Sequence, residues 1–140
     1  SEYLDVEITE TMAMDHPESK IGLLNTIRDA GLSISIDDFG TGYSSLSYLK
    51  RLPISELKID RSFLVDLPEK SDGVPIVTAI IAMAHSLGLK VVAEGVETSA
   101  QVELLRSLDC DLIQGYFFSR PLTTQEFSAY LTPTRCPAWV

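Results

Sequence analysis

Nine residues carry the chemistry available to this sequence. Seven are carboxylates (Glu7, Glu10, Asp37, Asp38, Asp60, Glu94 and Glu97), with Lys58 and Gln114 beside them. The densest group lies in "ISIDDFGTGYSSL", residues 34–46, where an apolar run ends in two adjacent aspartates and a glycine-hinged turn. Two like charges about 5 Å apart repel by roughly 3 kcal/mol at an effective dielectric near 20. The chain already holds 20 acidic against 11 basic residues, a net charge of −9, so it has no need of further negative charge. Carboxylates gathered in one place require a counter-charge. Oxygen donors from Asp, Glu and an amide suit hard divalent cations such as Mg²⁺ or Mn²⁺. Two such ions a few ångströms apart would share a bridging carboxylate and clamp an in-line displacement at phosphorus. A buried lysine nearby could orient, or help deprotonate, an attacking water.

Each of these residues also has an ordinary structural use. Asp37 and Asp38 before Gly40 could form a plain turn, Lys58 could be salt-bridged, and Glu97 could be a helix N-terminal charge. Gln114 could satisfy backbone groups. His16 and His85 have no partner at metal-ligand spacing, and Tyr43, Tyr116, Phe117 and Phe118 read as packing residues. What favours chemistry is recurrence, because acids or amides stand at the end of every strand-like run.

The elements that must position them alternate in type. Strand-like runs cover residues 3–9, 32–37, 56–60, 89–95 and 110–115. A helix is expected over 17–30 with Ile21, Leu24 and Ile27 as its apolar stripe and Gly31 at its left-handed end. A short helix is expected over 44–51, and a long one over 73–87 with Ile76, Ile80, Met83 and Leu87 as its stripe. Thr98 with Gln101, and Thr123 with Glu126, fit capping boxes that open two more. A β-α-β-α series predicts a parallel sheet with right-handed crossovers. Working residues of such folds gather at the carboxyl ends of strands. Strand alternation puts Lys58 and Asp60 on one face.

Composition removes several classes. No Lys/Arg run reverses the charge locally, which argues against polymeric nucleic acid or an anionic membrane surface as partner. Cys110 and Cys136 form no zinc spacing and are expected as free thiols. "GTGYSS" has Ser45 where a dinucleotide fingerprint needs its third glycine, and two carboxylates before it would repel a pyrophosphate. A phospho-accepting receiver domain needs an acceptor aspartate between its acidic pair and its lysine, and none stands there.

Five segments resemble the EAL-domain family, the phosphodiesterases of the bacterial second messenger cyclic di-GMP. "VEITET" is similar to the family's E-x-T-E-S segment, "IDDFGTGYSSL" to its signature loop and "LKIDRSF" to its lysine strand; "VVAEGVET" and "QGYFFSRPL" match the last two. The resemblance runs from residue 3 to about 131. It implies Glu7 as a ligand of a first metal, Asp37 as the carboxylate shared by two metals and Asp38 as a ligand of the second. Lys58 would hold the nucleophilic water with Asp60 assisting. Glu94 and Glu97 would complete the second-metal and water network, and Gln114 would lie by the metal-bound water and substrate. Glu10 is similar to the glutamate that anchors the loop of residues 39–45, which in this family contributes to a homodimer. The implied cofactors are two Mg²⁺ or Mn²⁺ ions, and the implied reaction is hydrolysis of cyclic di-GMP to linear pGpG. A non-catalytic cyclic di-GMP receptor or interaction module of the same family is the alternative.

The family's E-A-L motif, a nearby substrate-holding arginine and an asparagine ligand from the next strand do not occur in this sequence. The fold expected is therefore α/β, a partial TIM-type (β/α)8 barrel comprising the last five of eight strands, since complete barrels take about 250 residues. Residues 1–131 are expected to be the C-terminal part of an EAL domain, incomplete for catalysis alone, and 132–140 an irregular tail. The parent is expected to be a bacterial cytoplasmic signalling protein. It could carry an upstream sensory or GGDEF-type domain and a membrane anchor elsewhere, with no membrane contact by this segment.

Overall fold

The computed structural model describes residues 4–15, 17–42, 45–68 and 72–131. Tyr3, His16, Tyr43, Ser44, Cys136 and the tail 132–140 lie outside the described residues. Five strands run in chain order across one sheet: β1 (Asp5–Thr9), β2 (Ser33–Phe39), β3 (Glu56–Ile59), β4 (Lys90–Ala93) and β5 (Leu112–Ile113). Every pairing is parallel. The helices between them are α1 (Glu10–Met14), α2 (Pro17–Asp29), α3 (Leu46–Leu49), α4 (Gly73–Ser86) and α5 (Ser99–Ser107), with α6 (Thr124–Tyr130) after β5. This is the parallel sheet that the alternation predicts, and it is consistent with the partial β/α barrel that the family resemblance implies.

The pleat decides what each strand residue does. Ile34 and Ile36 of β2, Leu57 and Ile59 of β3 and Val91 and Ala93 of β4 point to one side and form the core. From the helices, Leu24, Val77, Ile81, Val102 and Leu105 join them. A fully buried aliphatic side chain of this kind contributes about 1.5–3 kcal/mol, so this layer fixes which way each strand faces. The intervening residues, Ser35, Asp37 and Lys58 among them, face the other side, and Glu94 directly follows the end of β4. A one-residue slip in register would exchange the two sets.

The elements follow their local signals with three departures. α2 buries Leu24 and half-buries Ile21 and Ile27, and Gly31 closes it at φ +81°. Both expected capping boxes are formed. α4 differs in orientation: its buried residues are Val77, Ile80, Ile81 and Ala84, while Ile76 is exposed and Met83 only half-buried. The segment is apolar almost all round, so its periodicity leaves the rotation open and packing on the sheet decides it. α1 has no counterpart in the expected elements. Thr9 caps it by accepting from the Met12 N–H, but five residues are too few to show a period. The last strand is two residues long, since only Leu112 and Ile113 pair with β4.

Among the described residues, β1 pairs only with β2 and β5 only with β4, so both outer edges of the sheet are open. Leu4 and Leu112 beside those edges are 56% and 47% exposed. No described helix is long and apolar enough to cross a membrane. Open edges with apolar side chains template pairing with another chain. The 140-residue chain is therefore expected to self-associate. Sedimentation velocity over a concentration series should show mass rising with concentration, and one monomeric boundary throughout would contradict it.

Candidate active site

Lys58 is the centre of the carboxyl end of the sheet. Its side chain is 9% exposed, and β3 sends it to the face opposite Leu57 and Ile59. The ammonium donates to Glu7 Oε1 at 2.6 Å, sits 2.6 Å from Glu94 Oε1 and lies 3.9 Å from Asp37 Oδ1. Those partners come from β1, the end of β4 and β2, so the sheet brings together residues that are 30 or more positions apart in every case but one pair. Burial works to lower the Lys58 pKa, but the hydrogen bonds to Glu7 and Glu94 outweigh it. With the charge of Asp37 they hold the group above the ordinary value of 10.5.

Asp37 and Asp38 divide into different surroundings. Asp37 is half-buried, and its Oδ1 accepts from the Asp38 N–H at 2.9 Å. Asp38 is exposed and turns the chain at φ +53°, a left-handed conformation that aspartate tolerates better than most residues. The charge of Asp37, then desolvation, then the charge of Asp60 raise the Asp38 carboxyl above its ordinary range. The repulsion inferred from the adjacent pair is thus present. A β-irregularity between Ile36 and Phe39 accommodates the turn.

Glu10, fully buried in α1, accepts from the N–H groups of Gly40 at 2.7 Å and Gly42 at 3.2 Å. It holds the start of the 39–45 loop, of which residues 43 and 44 are outside the described residues. Asp60 does not share the Lys58 contact. β3 ends at Ile59, and Asp60 Oδ1 caps the 3₁₀ turn of Arg61–Phe63 by accepting from the Ser62 N–H at 3.0 Å. Glu97 pairs with Arg61 at 2.6 Å. Glu94, Glu97 and Gln114 line one cavity of about 260 Å³ with Arg61 and Tyr116. Arg61 was not singled out by its type or spacing, although it directly follows the strand-end Asp60. His85 has a structural partner, its Nε2 lying 2.8 Å from Asp111 Oδ2. Cys110 is a free thiol, pushed up to about 11 by burial.

Among the described residues, no three His, Cys, Asp or Glu side chains close on a common cation position. The cation they surround is the Lys58 ammonium. Glu7, Asp37 and Glu94 are nonetheless aimed at positive charge, and they and the adjacent Asp38 offer only oxygen donors. That chemistry fits a hard divalent ion.

The profile of the EAL domain matches residues 1–121. The chain belongs to the EAL-domain family. It is 52% identical over 136 residues to cyclic di-GMP phosphodiesterase NbdA of Pseudomonas aeruginosa, covering 97% of this chain and 17% of NbdA. Its structure superposes on the PaMucR phosphodiesterase in complex with c-di-GMP at a TM-score of 0.86 and 50% identity, covering 90% of this chain and 51% of that one. It also superposes on Klebsiella pneumoniae BlrP1, solved with cy-diGMP and either calcium or manganese, at a TM-score of 0.76 and 38% identity. That match covers 84% of this chain and 30% of BlrP1. The chain thus spans about a sixth of its curated relative NbdA and between about a third and a half of these solved chains.

The Lys58 environment has a measurable consequence. A raised folded-state pKa means that the stabilisation from Lys58 is complete below about pH 10.5 and fades as pH rises through the higher folded value. Lys58→Met should therefore lower stability near pH 7 by about 1–3 kcal/mol, measured by urea denaturation. The gap should narrow above roughly pH 10.5, as the Lys58 ammonium is lost. Equal stability of variant and parent at neutral pH would refute the central role given to this ammonium.

Proposed function

We propose that this chain forms the lysine-and-carboxylate half of a cyclic di-GMP phosphodiesterase site, acting in the bacterial cytoplasm and hydrolysing the messenger to pGpG. The observation that carries this is the convergence of Glu7, Asp37 and Glu94 on one buried ammonium at the strand ends. The names of NbdA and PaMucR, and the c-di-GMP bound to the latter, support it.

Glu7, Asp37, Asp38 and Glu94 are the residues that would hold Mg²⁺ or Mn²⁺, and Asp37 would be the carboxylate shared between two ions. The metals, when bound, would neutralise the scissile phosphodiester and lower the pKa of an attacking water. The chain's own residues do the orienting. Lys58 presents an N–H to the water or to a phosphate oxygen from a fixed position between β1 and β4. Asp60, by capping the turn after β3, fixes the end of the strand that carries Lys58. Glu97 and Gln114 border the cavity beside Glu94, where Glu97 would take part in the water network and Gln114 would meet substrate. Glu10 would stiffen the 39–45 loop, through which two copies would pair. Upstream sensory or GGDEF-type domains would set when the site works.

The test is turnover by the full-length protein with Mg²⁺ or Mn²⁺, read as pGpG by chromatography. Asp37→Asn should abolish turnover, since a neutral amide cannot bridge two dications. Lys58→Ala should lower kcat by about 100-fold with less effect on KM. A rise in KM alone would refute the placing of water by Lys58. Tight binding of cyclic di-GMP without turnover by the parent would favour the receptor alternative.

The choice of metal provides a separate check. Ca²⁺ prefers longer bonds and looser geometry than Mg²⁺ or Mn²⁺. Replacing either ion by Ca²⁺ should therefore leave substrate bound while turnover collapses. Equal rates with Ca²⁺ would argue against two closely spaced ions.

A further inference from the structure

Glu94 and Glu97 stand on the loop between β4 and α5, and two ties fasten that loop to the segment following β3. The first is buried. Gln101, 4% exposed, accepts at Oε1 from the N–H groups of Glu97 at 2.8 Å and Thr98 at 3.0 Å. Its Nε2 donates to the Leu64 carbonyl at 2.7 Å. The second tie is at the mouth of the site, where Arg61 Nη2 meets Glu97 Oε1 at 2.6 Å. The methylenes of Arg61 lie against Gly95, where a Cβ would come 2.5 Å from Arg61 Cγ. One segment, beginning three residues after Lys58, therefore holds Glu97 by backbone and by side chain.

Capping α5 does not account for all of this. A capping box needs an acceptor at the third helical position, and glutamate supplies it as well as glutamine. α6 uses Glu126 for that purpose, in an exposed position. At the buried position of α5 the residue is an amide, and only an amide both accepts from Glu97 and donates to Leu64. Arg61 and Glu97 are both well exposed, and exposed ion pairs contribute little to stability. What the pair does is fix the direction of the Glu97 carboxylate.

We infer that Gln101 and Arg61 are positioning residues for Glu97 in phosphodiester hydrolysis: Gln101 sets the backbone of Glu97 and Arg61 aims its side chain. This rests on the phosphodiesterase function proposed above. Misplacing a catalytic group by about 1 Å can cost about 100-fold in rate.

The test compares full-length parent, Gln101→Glu, Arg61→Ala and Arg61→Lys with cyclic di-GMP and Mn²⁺. Gln101→Glu keeps the capping acceptor and loses the donor to Leu64. It should lower kcat by about 10- to 100-fold while KM stays within about threefold. Arg61→Ala should lower kcat with the folded fraction unchanged by circular dichroism, and Arg61→Lys should recover part of the loss. Parent-like kcat in both Gln101→Glu and Arg61→Ala would overturn the inference alone. So would losses that only track the unfolded fraction, which the exposed Arg61 variant separates from misfolding at Gln101. Absence of turnover by the parent would instead overturn the proposed function, and the inference with it.

Discussion

A buried ammonium cannot stand alone, and the carboxyl end of this sheet is organised around that requirement. Lys58 is held in a nearly closed environment where an unpaired charge would be costly. Its partners must arrive at short range from other strands. The register does this: Glu7 lies opposite Ser35, Ser35 opposite Glu56, and Lys58 opposite Val92, one residue pair before the strand that delivers Glu94 ends. Ser35, between β1 and β3, is fully buried, and its hydroxyl donates to Asp5 at 2.7 Å. The hydrophobic layer on the other face locks this arrangement. Leu57 and Ile59 flank Lys58 in sequence and are fully buried, so β3 can present only Lys58 to the carboxylates.

Much of this could be read from the sequence, for a physical reason. Strand ends announce themselves by a switch from β-branched residues to acids and glycine. The alternation of elements leaves a parallel sheet as the economical arrangement. Lys58, Glu7, Asp37 and Glu94 came together as expected because pleat and register carry them there. Asp60 stands just past the end of β3, where its carboxylate caps the following turn while its charge still reaches Asp38. The rotation of α4 was not legible either. A helix apolar on nearly every side carries no directional signal, so the sheet beneath it chooses Val77 and Ile81 over Ile76. α1 escaped because a single turn has no period, although its buried Glu10 is the residue that reaches Gly40 and Gly42.

The side chains that organise the loops were the least visible. Arg61 and Gln101 are ordinary residue types, and neither lies at a spacing that marks a site. Their importance arises from what they touch, and those contacts join segments 36 positions apart for Arg61 with Glu97 and 37 for Gln101 with Leu64. Such pairs cannot be found by scanning along a chain. They become visible only when the strands are laid side by side.

The strand-end loops also lock onto one another in order around the sheet. The loop after β2 meets the turn after β3 where Gly40 lies against Phe63, close enough that a Cβ would fall 2.6 Å from the ring. That turn meets the loop after β4 through Arg61 on Gly95. The loop after β4 meets the loop after β5 most tightly of all, since a Cβ on Gly115 would stand 2.1 Å from the Val96 carbonyl oxygen. Here the obstacle is backbone, which cannot swing aside as a side chain can, and Val96 is itself tied down by its N–H to the Gln114 carbonyl. Each loop is thus the template for the next. A displacement at any one of them would be passed on to the neighbouring carboxylate rather than absorbed locally, because close-packed interfaces transmit strain. The glycines at these positions allow the carboxylates to be held by backbone contact, so the mouth of the barrel is built as one piece.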